Sequence, residues 1–135
     1  MKALYTGVGK EDIGKYVIFS GDPWRVERIC KYIESPKKVA FLREFNTYTG
    51  MYKGIKVTIT STGIGAPSAA IAMEEMYEAG MEVAVRMGTV MSLKDDTLGD
   101  FMIPVAAMRR EGTSQSYVDL SYPAVADIEL INIMN

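Results

Sequence analysis

The sequence predicts an α/β fold built on a mixed, partly parallel twisted sheet flanked by helices, and three observations carry that expectation. Compact apolar runs such as "YVIFS" (16–20) and "VAVRMG" (83–88) read as buried strands. Residues 58–88 run strand, helix, strand, the layout of a crossover between parallel strands. "FNTYTGMYKGIKVTITST" (45–62) reads instead as an antiparallel hairpin turning at Lys53-Gly54. At 135 residues, 48% hydrophobic, the chain can bury one core, so a single domain spanning 1–135 is expected.

The elements follow in order. After the first strand, Gly21 permits a tight turn, Asp22 suits a helix N-cap and Pro23 suits the first helical position. Val26, Ile29, Cys30 and Ile33 fall at i, i+3, i+4 and i+7, giving the helix one apolar face, and Ser35-Pro36 is expected to end it. "KVAFL" (38–42) is a second strand. From Pro67 the pattern turns helical, and Gly80 is placed to stop that helix. "VAVRMG" is expected to form a central strand. "FMIPVAAM" (101–108) reads as a further strand, with Pro104 marking an edge or bulge. "YPAVADIELINIMN" starts one more helix. Its apolar Ile128, Leu130, Ile131, Ile133 and Met134 call for a covering surface, supplied by a partner chain or by further sequence.

Composition removes whole classes of chemistry. With 15 basic and 17 acidic residues the net charge is −2, which argues against a nucleic-acid polymer as partner but leaves small anions open. Histidine is absent, so imidazole bases, His metal ligands and Ser-His-Asp triads are excluded. The single cysteine, Cys30, forms no internal disulfide and no CxxC pair, and no metal is expected. No signal peptide and no apolar run of membrane-spanning length is found, so a soluble cytoplasmic protein without membrane association is expected. The ten methionines are expected to fill core gaps.

Two arginines stand out. Arg25 lies in the first turn of its helix, where the dipole makes a cation locally unfavourable unless an anion sits there. The alternative is a solvated arginine paired with Asp22. Arg86 interrupts an apolar strand at its C-terminal end, where ligands of open α/β sheets collect and where burying an unpaired charge is expensive. Its alternative is a salt bridge to Glu74 or Glu75. Thr89 follows three residues on, with Gly88 between them to allow close backbone approach. "GDPWR", "STGIG" and "RMGT" are three strand-end loops able to face one rim of a parallel sheet. Their arginines, threonine hydroxyl and glycine amides suit phosphate. Neither G-x-G-x-x-G nor a Walker GK[ST] occurs, so free phosphate is favoured over a dinucleotide.

In order along nearly the whole chain, "VIFSGDPWRVERI", "REF", "ITSTGIGAPSAAIAMEE", "VRMGT", "LGDFMIPVAA", "EGTS" and "YPAVAD" resemble the nucleoside phosphorylase family, its uridine phosphorylase branch more than the hexameric purine one. The resemblance implies a phosphorylase-like fold and phosphorolysis, in which phosphate attacks C1′ of a nucleoside to give ribose 1-phosphate and free base. Phosphate is then a co-substrate and no cofactor is required. It also implies that Gly21, Arg25, Arg86 and Thr89 hold phosphate, that Arg43 of "REF" reaches a neighbouring subunit's phosphate, and that Ile64 lies beside phosphate and ribose. Tyr5 occupies the place of a family histidine that reaches a neighbour's ribose. Family members are nearly twice as long, with base recognition in their second half, so the chain corresponds to the N-terminal half.

The expected partners are therefore phosphate and a nucleoside, together with copies of the chain or a complementary second chain. Two other readings stand beside the phosphorylase: a non-catalytic, oligomerising phosphate-binding module of the same fold, and a nucleosidase using water. The arginine cluster speaks against the nucleosidase, since water needs no such cluster. The isolated chain is expected to bind phosphate with little or no turnover.

Overall fold

In a computed structural model describing residues 1–135, a five-stranded sheet organises residues Met1–Gly88. Its elements are β1 (Tyr16–Ser20), α1 (Pro23–Ile29), β2 (Glu34–Leu42), β3 (Phe45–Tyr52), β4 (Ile55–Ser61), α2 (Ala66–Glu78) and β5 (Val83–Arg86). The strand order is β2-β3-β4-β1-β5. β1 pairs in parallel with β4 and β5, whereas β2-β3 and β3-β4 are antiparallel, so the sheet is mixed. Alternation along β1 sets the layers. Val17 and Phe19 join a core with Ala72 and Met76 of α2, while Ile18 packs with Ile59 against Val26 and Ile29 of α1 and Cys30 just after it. Each fully buried side chain of that size contributes about 1.5–3 kcal/mol, which holds a helix on either face.

The threonines of β4 occupy the α2 face, opposite those of β3. Thr47 and Thr60 hydroxyls lie 2.7 Å apart, and Thr49 and Thr58 hydroxyls 2.9 Å. Buried hydroxyls satisfied in pairs cost little, and β-branched residues fit the pleat. That is why threonine alternates with isoleucine here. Lys53 (φ 49°) and Gly54 (φ 80°) form the two-residue β3–β4 turn, with positive φ at both positions as a type I′ hairpin requires.

The helix boundaries obey local capping chemistry. The Asp22 carboxylate accepts the Trp24 N–H at 2.9 Å, with Pro23 opening α1. At the end of α2, Gly80 (φ 107°) donates its N–H to the Tyr77 carbonyl at 2.9 Å and Met81 donates to Met76 at 3.0 Å. That pair is a Schellman motif, and Met76 and Met81 meet in the core as the motif favours.

Two expectations for this segment are corrected. The first helix does not run to Ser35-Pro36: it ends at Ile29 and a 3-10 turn over Cys30–Tyr32. Ser35 (φ 48°) and Pro36 lie instead in β2, where the register shifts between Glu34 and Lys37. A proline is tolerated there because β2 is an edge strand and the bulge needs no ladder bond from it. β5 is not central either. It pairs with β1 alone and forms the other edge of the sheet.

Residues Thr89–Asn135 form a second compact unit with β6 (Ala106–Ala107), β7 (Ala124–Val125) and α3 (Ile128–Met134). "FMIPVAAM" thus yields only two strand residues, paired antiparallel with β7. Phe101 is fully exposed and Met102 largely so, leaving nothing to pack a longer pleated run. Arg109 organises this unit: its guanidinium donates to the carbonyls of Ser114, Val118, Asp119 and Tyr122. Asp127 caps α3 through the N–H groups of Glu129 and Leu130, both at 3.0 Å. Within the apolar run, Ile131 is buried, so the run is not wholly uncovered, while Ile128 and Ile133 are exposed.

Candidate anion site

β4, β1 and β5 run in parallel and end level, with Ser20 opposite Ser61 and Phe19 opposite Arg86. The loops leaving them therefore open on one rim. The end of β1 ties these loops together. The Ser20 carbonyl accepts the Thr62 N–H at 2.8 Å and the Thr62 hydroxyl at 3.3 Å, and the Phe19 carbonyl accepts the Met87 N–H at 2.8 Å. Between the first two loops lies a cavity of about 440 Å³ lined by Gly21, Asp22, Pro23, Glu44, Gly63 and Ile64.

Arg86 lies next to the cavity wall at Gly21, without lining the cavity itself. A Cβ built on Gly21 would lie 3.4 Å from Arg86 Nη2 and 3.7 Å from the Gly63 carbonyl oxygen. The guanidinium thus rests over the bare α-carbon of Gly21. It is exposed and forms no ion pair, so the salt bridge to Glu74 or Glu75 does not occur. Glu75 is engaged elsewhere, accepting the N–H groups of Tyr5 at 3.0 Å and Thr6 at 2.7 Å. Because Arg86 is exposed at an edge strand, no burial penalty has to be offset there. Its donors have no ion-pair partner in the chain and can meet an external acceptor.

Arg25 is half-buried in the first turn of α1, two residues from the cavity wall at Pro23, and is not itself part of that wall. Its pairing with Asp22 is absent, since the Asp22 carboxylate caps the Trp24 N–H. α1 has only seven residues, so the guanidinium rather than the helix dipole is the stronger attraction for an anion. Ile64 is almost wholly exposed at the cavity mouth. α2, thirteen residues long, starts two residues later with Gly65 at its N-cap, no capping side chain and no acidic residue in its first turn.

Arg43 does not join this group. It forms, with Glu44, the two-residue β2–β3 turn at φ 54°, and its guanidinium lies 5.6 Å from the centre of the Tyr5 ring. Thr89 opens the second unit. Of the site residues of the first unit, Gly21 and Ile64 line the cavity, Arg86 lies over Gly21, Arg25 is two residues from the wall at Pro23, and Arg43, next to the wall residue Glu44, meets Tyr5.

Glu44 is the cavity residue that sequence reasoning missed. Its carboxylate accepts the Ser68 hydroxyl at 2.7 Å, and that bond, then its own backbone N–H and the Arg43 charge, holds its carboxyl below the usual range. Its side chain also explains the glycine in "STGIG". Gly63 has φ 69°, and a Cβ there would sit 2.5 Å from Glu44 Cγ. Only the adjacency of a charged pair, Arg43-Glu44, between two strands hinted at the position. No three His, Cys, Asp or Glu side chains cluster in the chain, and no helix is long and apolar enough to cross a membrane.

Comparison with known proteins bears on this site. The family model of the Phosphorylase superfamily matches residues 15–135. A uridine phosphorylase of Thermococcus kodakarensis is 45% identical over 120 residues, covering 88% of this chain and 43% of that protein. A guanosine phosphorylase of Halorubrum lacusprofundi is 41% identical over 125 residues, covering 92% and 52%. The crystal structure of uridine phosphorylase from Vibrio fischeri superposes with a TM-score of 0.88 at 35% identity, covering 97% of this chain and 55% of that one. The chain spans about half the length of these relatives. With a mixed sheet of the same fold and a family match over nearly its whole length, the chain belongs to the phosphorylase superfamily.

Proposed function

We propose that the chain carries the phosphate-binding part of a cytoplasmic nucleoside phosphorylase of the uridine phosphorylase type. The observation that supports this most is the unpaired Arg86 guanidinium over Gly21, at the rim where three parallel strands end. In this reading Arg25, Arg86 and Thr89 donate to phosphate, and Gly21 leaves room for it. Arg43 reaches the phosphate of a neighbouring copy, while Ile64 and Tyr5 face ribose.

The chemistry follows from charge. A phosphate oxygen forms a bond to C1′ as the C1′–N bond breaks, and the bond pair leaves on the base nitrogen, which takes up a proton. The sugar is cationic at the midpoint. A phosphate dianion fixed beneath it by guanidinium groups supplies both position and electrostatic stabilisation. No histidine is needed for that role.

The chain is expected to bind phosphate and to assemble with copies of itself or a second chain, with little turnover alone. Purified chain is incubated with uridine or inosine, with and without phosphate, and ribose 1-phosphate and free ribose are measured. Little or no release of either product is expected from the chain alone. Phosphate-dependent turnover abolished by Arg86→Ala would overturn the expected inactivity. Release of free ribose independent of phosphate would overturn the phosphorylase reading in favour of a nucleosidase.

A further inference from the structure

Neither Arg43 nor Tyr5 lines the cavity, and the way each is held gives their contact a purpose. The Tyr5 backbone is clamped to α2 through the Glu75 carboxylate, which accepts the N–H groups of Tyr5 and Thr6 at 3.0 and 2.7 Å. The turn closes on itself through the Ala3 N–H to the Val8 carbonyl at 2.7 Å. Its Gly7, at φ 71°, presses on the end of β2, where a Cβ would meet Leu42 Cδ1 at 2.8 Å and Ala40 Cβ at 3.4 Å. The N-terminal turn is thereby fixed against the strand that leads into Arg43. On the other side, Glu44 is anchored by Ser68 at 2.7 Å, which fixes the β2–β3 turn.

The guanidinium of Arg43 lies 5.6 Å from the Tyr5 ring centre, within cation–π range. A cation–π contact is an attraction to the ring and, unlike an ion pair, spends no N–H donor on a carboxylate. Arg43 has no carboxylate partner in an ion pair.

We propose that Tyr5 is a positioning residue for Arg43: its ring, braced by the N-terminal turn, holds the guanidinium beside it and outside any ion pair, where it can donate to a phosphate. This rests on the reading above that Arg43 contributes to phosphate binding across a subunit boundary. It assigns Tyr5 a role toward that arginine in addition to any toward ribose.

The test is calorimetric titration of the full chain with inorganic phosphate for wild type, Tyr5→Phe, Tyr5→Leu, Arg43→Ala and the Tyr5→Leu/Arg43→Ala double variant. Tyr5→Phe keeps the ring and is expected to bind as wild type. Tyr5→Leu is expected to weaken binding about two- to fivefold, and to add nothing once Arg43 is alanine. Equal weakening by Tyr5→Leu with and without Arg43 would assign the effect to general structure and overturn the proposal. Unchanged binding in Tyr5→Leu, with Arg43→Ala clearly weaker, would overturn it alone. Unchanged binding in Arg43→Ala would remove the intersubunit role of Arg43, and this proposal with it.

Discussion

Replacing Gly63 by alanine perturbs the bend between β4 and α2 in two separable ways. The backbone is left-handed there, at φ 69°, which costs an alanine about 1–2 kcal/mol. The new Cβ would also lie 2.5 Å from Glu44 Cγ, 3.0 Å from Glu44 Cβ and 3.1 Å from Ser68 Oγ, so Glu44 has to move and its bond to Ser68 is disturbed. Overpacking of that kind adds about 1–3 kcal/mol, for a total of roughly 2–5 kcal/mol. Gly54 supplies the internal control. It too is left-handed, at φ 80°, but no atom lies within 4 Å of its would-be Cβ. Gly54→Ala should therefore show the backbone cost alone. Thermal unfolding reads the difference, since 1 kcal/mol moves Tm by about 4–8 °C in a domain of this size. Gly63→Ala should lose roughly 10 °C or more, and Gly54→Ala clearly less. Equal losses, or a larger loss at Gly54, would refute the claim that Glu44 packing makes Gly63 obligatory.

Other outcomes follow from the same geometry. Gly21→Ala should leave stability unchanged or raise it by about 0.4–1 kcal/mol, because its backbone is not left-handed and Cβ contacts start at 3.4 Å. The same methyl group should weaken phosphate binding about tenfold by keeping the anion from Arg86 Nη2, as calorimetry would report. Arg25→Ala should weaken phosphate binding while moving stability by no more than about 0.5 kcal/mol. Glu75 sets a pH dependence. Burial pushes its carboxyl up, but hydrogen bonds from Thr6 and Tyr5 outweigh this and leave it below the ordinary value of 4.5. Its stabilising contribution is thus complete above that value and is lost as pH falls through the lower folded one. Melting between pH 6 and pH 3 should show a steeper loss of Tm for wild type than for Glu75→Gln.

Features whose partners lie close along the chain were legible in the sequence. Asp22-Pro23, Lys53-Gly54 and Gly80 each declare a cap or turn whose physics is complete within four or five residues, and each lies where expected. Ser35-Pro36 misled because a proline stops a helix and sits in an edge bulge equally well, and only the register of β2 on β3 separates the two. The edge position of β5 was hidden for the same reason: a short run with three apolar residues specifies a strand, while strand order is decided by the rest of the sheet. At the site, Arg86 announced itself as a charge interrupting an apolar run. Glu44 gave no such signal, because its partner Ser68 is 24 residues away. The contact of Arg43 with Tyr5, far apart along the chain, was equally invisible.

The most direct measurement is a calorimetric phosphate titration of the chain beside its Arg86→Ala variant. Wild type should bind one phosphate per chain, and losing the guanidinium over Gly21 should weaken binding about ten- to hundredfold, as removal of a charge-assisted hydrogen-bonding group does. Identical titration curves for the two proteins would contradict the assignment of this rim as a phosphate site.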